Sequence, residues 1–482
     1  MKEKGFDNDG RTKRLLTDTV LFGLSSFGSK ILVFFLTPLY TSILSTEAFG
    51  IADLINTTIN FIYPILTLAI SEATLRYTMM KNSSKKSILN NSLLLVTISV
   101  IALICIKPLI AKIDPSLSEY WKVFVITFAL YNLHLCISNF IKGLGRTKLF
   151  AIQGIVHTAV LVSANIIFLI VLRMGLNGYL LSIIIGYLAP IVLVVIFGKL
   201  HHHLFPFRVD ICVLKDMLIY SIPMIPAILA WTVNTSIDKY MIIEYVGMGS
   251  NGIYSVAHKI PTLLTTTVNI FLQAWQLSAI SNSGEKDEGE YYTRVYVVLH
   301  VVSLIGCLLI IPLSKPLSFV LFDDAYYLAW QCIPMLTLSA FFSTLGGFLA
   351  AAFRAHMRTK ELFLSVFVGA LVNIGLNFVF IKEVGIIGAA IATAISFCIV
   401  WIIRVVMVQR LVRVNVRVLK TIISYVLLAI ATLGITFDFK FAYILFFCIG
   451  VFIIIMHIKE LVALLKWIKV LMTKAVNLKR GQ

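Results

Sequence analysis

Charge is scarce in this chain. Asp, Glu, Lys and Arg together make up 13% of its 482 residues, where a soluble domain carries roughly 25%. That scarcity excludes a soluble globular protein. With 59% hydrophobic residues and a mean hydropathy of +0.94, the chain reads as an all-α polytopic membrane protein. Acidic residues are the rarer sign, 23 against 41 Lys and Arg. A net charge of +18 would point to nucleic acid in a soluble protein; in a polytopic one it marks cytoplasmic loops and anionic lipid headgroups, and no nucleic-acid partner is expected. The cysteines (Cys105, Cys136, Cys212, Cys307, Cys332, Cys398 and Cys448) stand singly, with no C-x-x-C pair and no histidine at ligand spacing. This excludes a metal centre or a disulfide framework and leaves them as small buried hydrophobes. The apolar stretch behind the basic start (Lys2, Lys4, Arg11, Lys13, Arg14) is too long for a signal-peptide core and has no small-residue cleavage site, so the first helix is expected to stay.

What the chain has is long apolar runs. A window of about 19 residues finds about 14 spans, at 17–43, 49–77, 89–111, 120–142, 149–172, 178–198, 216–246, 252–279, 294–313, 327–353, 362–381, 386–407, 418–436 and 441–458. Their short connections make neighbours antiparallel. Of the 41 basic residues, counting those at span ends such as Arg76 and Arg404 with the adjoining loop, 31 fall in alternate loops and tails on one side, 7 on the other and 3 deeper inside spans. This bias places both termini in the cytoplasm. The expected organisation is a cytoplasmic tail at 1–16, a six-helix lobe at 17–198, a cytoplasmic linker at 199–215, a second six-helix lobe at 216–407, two added helices within 418–458, and a basic tail at 459–482. In that tail Ile458, Leu461, Val462, Leu465, Ile468 and Met472 recur at helical spacing with Lys459, Lys466 and Lys474 off the stripe, the pattern of an interfacial helix on anionic lipid.

The two lobes repeat one another. Arg146-Thr147-Lys148 returns 212 residues later as Arg358-Thr359-Lys360, and Asn165 returns as Asn377. Gly175-Leu176-Asn177-Gly178 corresponds to Gly385-Ile386-Ile387-Gly388, and Gly50-Ile51 to Gly252-Ile253. Six spans return a chain to its starting side, so these are parallel, pseudo-symmetric halves, an arrangement suited to alternating access. Pro38, Pro64, Pro223 and Pro226 add kinks, because each removes a backbone hydrogen bond.

Ionisable side chains within spans cost several kcal/mol unless paired or wet, so each is a site candidate. Lys30, Asp53, Asp238, Lys239, His258 and Lys259 are the candidates for a central cavity. Glu72, Arg76, Arg146, Arg354 and Arg358 are the candidates for a cytoplasmic-side gate. Glu72 and Arg76, at i and i+4, are expected to pair within their helix. Asp238 and Lys239 point to different sides of one helix, so each needs a partner elsewhere; Asp238 with Lys259 and Asp53 with Lys30 are the expected pairs. A net cationic cavity suits an anionic substrate such as a pyrophosphate. Asn56, Thr57, Thr58, Asn60, Asn234, Thr235, Ser236, Asn269, Gln273 and Gln276 could line a wet, sugar-compatible path, although polar residues also glue membrane helices together. His134 and His157 are expected to be structural, His201-His202-His203 to form an interfacial loop rather than a metal site, and the acidic run Glu285 to Glu290 a solvated turn.

Phe22-Gly23-Leu24-Ser25-Ser26-Phe27-Gly28-Ser29-Lys30, Thr37-Pro38-Leu39-Tyr40 and Glu47-Ala48-Phe49-Gly50 resemble the opening of bacterial polysaccharide-transport proteins, the Wzx-type oligosaccharide flippases. Phe353-Arg354, Arg358-Thr359-Lys360 and Gly385-Ile386-Ile387-Gly388-Ala389-Ala390-Ile391-Ala392-Thr393 resemble their second half. The motifs are shared in part with peptidoglycan-precursor flippases and multidrug antiporters of the same superfamily. The resemblance implies two six-helix lobes in the bacterial cytoplasmic membrane. It implies movement of an undecaprenyl-diphosphate-linked oligosaccharide to the outer leaflet for synthesis of a surface polysaccharide, whether O-antigen, capsule, exopolysaccharide or a wall polymer. It implies no catalytic residues and no cofactor, a cycle coupled to protons, sodium or the membrane potential, and a polysaccharide polymerase and chain-length regulator as further partners. The competing expectations are a cation-coupled multidrug antiporter, disfavoured by Lys30, Lys239 and Lys259, and a membrane-embedded polymerase or glycosyltransferase, disfavoured by short outer loops without a carboxylate cluster.

Overall fold

The structure, a computed structural model, describes residues 32, 34–80, 83–108, 118–281, 284, 287–415 and 417–462. Lys30, most of the first span and nearly all of the basic tail lie outside the described residues. Among those described, every regular element is helical. Eleven helices are long and apolar enough to cross a membrane, and they coincide with spans two to seven and nine to thirteen. The eighth span is broken at His258, its first residues falling in the helix Met248–Ala257 and the rest in the 23-residue helix Lys259–Ser281, which is diluted by Thr262, Thr265, Thr266, Thr267, Asn269, Gln273 and Gln276. The fourteenth is apolar but has only 15 residues.

The chain divides into two compact units, Met1–Ser255 and Val256–Gln482. The first carries α1 (Thr37–Ile43), α2 (Thr46–Leu66), α3 (Ile70–Met79), α4 (Lys85–Cys105), α5 (Trp121–Gly143), α6 (Thr147–Asn165) continued by a π-helical segment Ile166–Val171, and α7 (Gly175–Phe197). A single turn α8 (His201–Leu204), α9 (Ile211–Ser221) and α10 (Ile225–Tyr245) follow. Helix α11 (Met248–Ala257) begins in this unit and ends in the next. Unit 2 continues with α12 (Lys259–Ser281), α13 (Glu288–Ile310), α14 (Ser314–Leu321), α15 (Ile333–Ala355), α16 (Thr359–Val384), α17 (Ile386–Val408), α18 (Val418–Thr436) and α19 (Ala442–Met456). Unit 1 thus takes in α9 and α10, which the sequence repeat groups with the second half.

Helix α2 starts where the Ser45 side chain accepts the Ala48 N–H at 3.2 Å, with Glu47 in the first turn, both favourable at a helix N-terminus. Leu54, Ile55 and Ile59 bury one face of it against Phe124, Phe128 and Leu180. The helix does not run on through the second span. Pro64 removes a hydrogen bond one turn before the end, and Leu68 and Ala69 then take left-handed φ values of 53° and 51° before α3 begins. For residues with a side chain this conformation costs roughly 1–2 kcal/mol each, so the break is strained. The seventh span is interrupted as its prolines imply: Pro223 lies in a 3₁₀ turn, Ile222–Met224, and Pro226 in the first turn of α10.

The repeat is visible in local geometry. Arg146 and Arg358 each stand just before a helix, with φ and ψ of −83° and 60° and of −92° and 59°. Asn165 and Asn377 each donate to the carbonyl four residues earlier, at 2.7 and 2.9 Å. A Cβ at Gly178 would lie 3.0 Å from the Phe168 Cβ, and one at Gly388 would lie 2.1 Å from the carbonyl oxygen of Phe380, 212 residues on. In both units, then, the sixth helix of the repeat is pressed on the fifth at a glycine.

Helix α15, buried almost throughout, is the axis of unit 2. Trp275 stacks on Phe348 with centroids 4.5 Å apart, and Trp401 Nε1 donates to the Tyr296 hydroxyl at 3.1 Å. Arg404, counted by sequence among the cytoplasmic loop charges, lies inside α17 at 3% exposure. It donates to Ser365 Oγ (3.0 Å) and the Gly346 carbonyl (2.8 Å), tying α17 to α16 and α15. Cys136, Cys307 and Cys332 are buried as expected, whereas Cys105, Cys212 and Cys448 are exposed.

Candidate functional site

On α2, Asp53, Asn56, Asn60 and Tyr63 recur at helical spacing and form a stripe off the buried face. The Asp53 carboxylate takes the Lys239 ammonium of α10 at 2.9 Å, with both side chains less than one-fifth exposed. Lys30, the partner expected for Asp53 from the sequence, lies outside the described residues; by sequence Lys239 needs only a partner on another helix, and Asp53 is that partner. Asp238, the neighbour of Lys239, is 1% exposed. Its carboxylate accepts the Lys239 N–H at 3.0 Å and the Tyr254 hydroxyl of α11. Tyr240 Oη donates to Thr58 Oγ1 at 2.9 Å, so α10 grips α2 at two levels.

Beside the ion pair, α2 and α11 touch backbone to backbone. A Cβ at Gly252 would lie 1.9 Å from the Thr46 carbonyl oxygen, and one at Gly50 would lie 2.3 Å from that of Met248. Asn251 Nδ2 donates to the Gly50 carbonyl at 3.2 Å. Only glycine permits this approach. The two glycines are the repeat-related pair noted in the sequence, and the repeat match is the signal that could have located the contact. Asn251 and Tyr254 were missed, since polar residues of a membrane helix carry no mark of their partner.

The other candidates are dispersed. Glu72 and Arg76 do not pair: the Arg76 guanidinium lies over the Tyr220 ring of α9 at 4.5 Å, while Glu72 lies within electrostatic reach of Tyr63, Tyr131 and Lys142. A flat cation on an aromatic face replaces the expected intrahelical bridge. Arg146 donates to the Gly198 carbonyl at the end of α7, at 2.6 Å. In unit 2, Arg354 donates to Gln276 Oε1 (3.0 Å) and Arg358 lies 3.6 Å from Glu361. His258 and Lys259 stand half-buried at the α11–α12 junction, with the His258 carbonyl accepting from Thr262 Oγ1 at 2.7 Å. Glu288, expected in a solvated turn, is instead buried at the start of α13, where it accepts the Gly284 N–H (3.0 Å) and lies 3.6 Å from His356. His203 packs edge-on against Phe140 from a helical turn rather than a loop. Among the described residues no group of His, Cys, Asp and Glu could hold a metal ion.

Residues 15–276, more than half of the chain, match the model of a family described as polysaccharide biosynthesis protein. The chain belongs to that family. A curated relative, an uncharacterized membrane protein of Methanocaldococcus jannaschii, is 25% identical over 291 residues, covering 56% of this chain and 67% of the relative. Among solved structures, an inward-facing multidrug resistance MATE family transporter of the MOP superfamily aligns with a TM-score of 0.70 at 14% identity, over 79% of this chain and 94% of its own. The lipid II flippase MurJ in an inward closed conformation aligns with a TM-score of 0.68 at 16% identity, over 92% and 100%. At these identities the likeness is one of fold. This member of the polysaccharide biosynthesis family is therefore a multi-pass helical membrane protein with the MATE and MurJ fold.

Proposed function

We propose that the protein is a flippase, not an enzyme, that moves undecaprenyl-diphosphate-linked oligosaccharide across the bacterial cytoplasmic membrane by alternating access. The observation that carries this reading is the latch built from Asp53–Lys239 and the Gly50/Gly252 contact. By the charge bias of the loops, Thr46 and Tyr245 lie at the outer surface and both termini in the cytoplasm. Asp53 is then about 10 Å in from the start of α2 and Lys239 about 9 Å in from the end of α10. An ion pair at that depth, beside a backbone contact, closes the outer end of unit 1. When the latch opens, Lys239 is released as a point-charge ligand for a phosphate. Family membership supports a polysaccharide precursor as the cargo, and a cycle driven by protons, sodium or the membrane potential would supply the energy.

The test is flipping of a fluorescent undecaprenyl-diphosphate oligosaccharide by purified protein in proteoliposomes. Asp53→Lys and Lys239→Asp should each abolish flipping, and the double exchange should restore it at least in part. Full activity in both single variants would refute the latch. Export of a cationic dye with no movement of the lipid would favour the multidrug antiporter.

A further inference from the structure

Beyond the latch, the polar stripe of α2 leads to a cluster of aromatic rings within unit 1. Tyr63 of α2 lies 5.7 Å from Tyr131 of α5, and Tyr131 lies 5.7 Å from Tyr187 of α7, centroid to centroid and edge to face. Tyr187 in turn meets His157 of α6 at 5.0 Å and His134 of α5 at 5.7 Å, and the two imidazoles stack at 5.5 Å. The run is fitted with hydrogen-bonding groups. Tyr131 Oη donates to Asn60 Oδ1 at 3.1 Å, and His157 Nδ1 is held by the Gly186 carbonyl at 2.8 Å. His134 Nε2 is buried with no hydrogen-bond partner, and the Tyr63 and Tyr187 hydroxyls bond to no described group.

Asn60 marks where this cluster opens. It is exposed, about 21 Å along α2 from its first residue, and so deep within a hydrocarbon layer about 30 Å thick. Its Nδ2 donates to the Asn56 carbonyl at 2.9 Å and its Oδ1 accepts from Tyr131, so one amide N–H is left over; exposed at that depth it is costly against lipid and stable where its side of the helix is wet. The ligand this surface fits has apolar faces and a rim of hydroxyls. Aromatic rings present electron-rich faces to C–H groups, while phenol, amide and imidazole supply both donors and acceptors. A saccharide has this chemistry. A hydrophobic cation would also favour ring faces, but Glu72, the carboxylate within reach of Tyr63 and Tyr131, shares its field with the Lys142 ammonium.

We propose that Tyr63, Tyr131 and Tyr187, with Asn60, His134 and His157, form a saccharide subsite that holds a sugar ring of the lipid-linked cargo. The assignment rests on the flippase reading and adds where on unit 1 the glycan is recognised. Full-length protein in nanodiscs is titrated with undecaprenyl diphosphate, with the same lipid carrying one N-acetylhexosamine, and with tetraphenylphosphonium. The sugar should tighten binding about tenfold, near 1.4 kcal/mol. Tyr63→Ala and Tyr131→Ala should each remove that increment and leave the bare lipid's Kd within about twofold. Tyr63, at the open end of the run, is the variant whose folding is least at risk, and an unchanged Tm accompanies it.

Equal binding of the two lipids by the parent chain overturns the subsite and leaves the flippase reading standing. Parallel weakening of both lipids in the variants overturns it as well, because the rings would then only support the fold. Phosphonium binding that both substitutions abolish reassigns the rings to a cation. Failure of the parent chain to bind either lipid removes the flippase reading, and the subsite with it.

Discussion

Replacing Gly252 with alanine should force the latch open. The added Cβ would lie 1.9 Å from the Thr46 carbonyl oxygen, where an ordinary contact is about 3.5 Å, so α2 and α11 must part by roughly 1.5 Å. Both atoms belong to helix backbones, and neither can turn aside. The separation also strains the Asn251–Gly50 hydrogen bond of 3.2 Å, worth about 1 kcal/mol. Overpacking adds about 1–3 kcal/mol. A closed state destabilised by about 2–4 kcal/mol loses population by roughly 30-fold to nearly 1,000-fold. The assay is the labelling rate of a single cysteine at Ser255, 3% exposed and one turn from Gly252 on the same face. It uses a membrane-impermeant maleimide in a cysteine-free background. Gly252→Ala should speed labelling at least 30-fold. Gly50→Ala, where the Cβ would be 2.3 Å from the Met248 oxygen, should act less. Gly249→Ala, which meets side chains rather than backbone, the Thr46 hydroxyl at 3.0 Å and the Glu47 Cγ at 3.6 Å, should act least. A folded Gly252→Ala protein that labels at the parental rate refutes the reasoning, and so does a reversed order.

Two further outcomes follow from other parts of the chain. Gly388→Ala should lower the thermal stability of unit 2 by about 2–4 kcal/mol, since its Cβ meets the Phe380 carbonyl at 2.1 Å, whereas Gly178→Ala, meeting the Met174 and Phe168 Cβ atoms at 2.9 and 3.0 Å, should cost about 1–2 kcal/mol; unfolding midpoints of the two variants check the order. Glu460 accepts from Arg417 and, at 2.6 Å, from Lys420. Burial alone would raise its carboxyl, but the Lys420 hydrogen bond with the Lys420 and Arg417 charges holds it below the ordinary glutamate value. Its contribution is therefore present above that ordinary value and lost as pH falls through the depressed one. Glu460→Gln should destabilise the docking of α18 by about 1–3 kcal/mol at neutral pH, with the difference from the parent shrinking as pH falls below the ordinary glutamate value, as thermal unfolding at neutral and acid pH would show.

The parts of this molecule that the sequence made legible are those written in local period or exact recurrence. Apolar runs located the helices because a helix in lipid must satisfy its own backbone, and composition along one segment is enough to say so. The repeat was legible because Arg146 and Arg358, Asn165 and Asn377, and Gly178 and Gly388 serve the same backbone purpose in each half. Pro64 announced a disturbance in the second span, but the break falls at Thr67 to Ala69, where no glycine advertises a left-handed turn. Partnership was the illegible part. Asp53 takes Lys239 across 186 residues, Arg76 prefers the Tyr220 face to Glu72 one turn away, and Arg404 ties three helices from a position that counts, by sequence, as a loop charge. Each choice depends on which helix faces which, information carried by close contacts such as Gly50 against α11 rather than by any residue's own type. The aromatic run is the extreme case. Its five rings come from four helices, so no window of sequence contains it, and the one local sign was an asparagine ladder on α2 whose exposed member, Asn60, keeps one amide N–H open beyond its bonds to Asn56 and Tyr131.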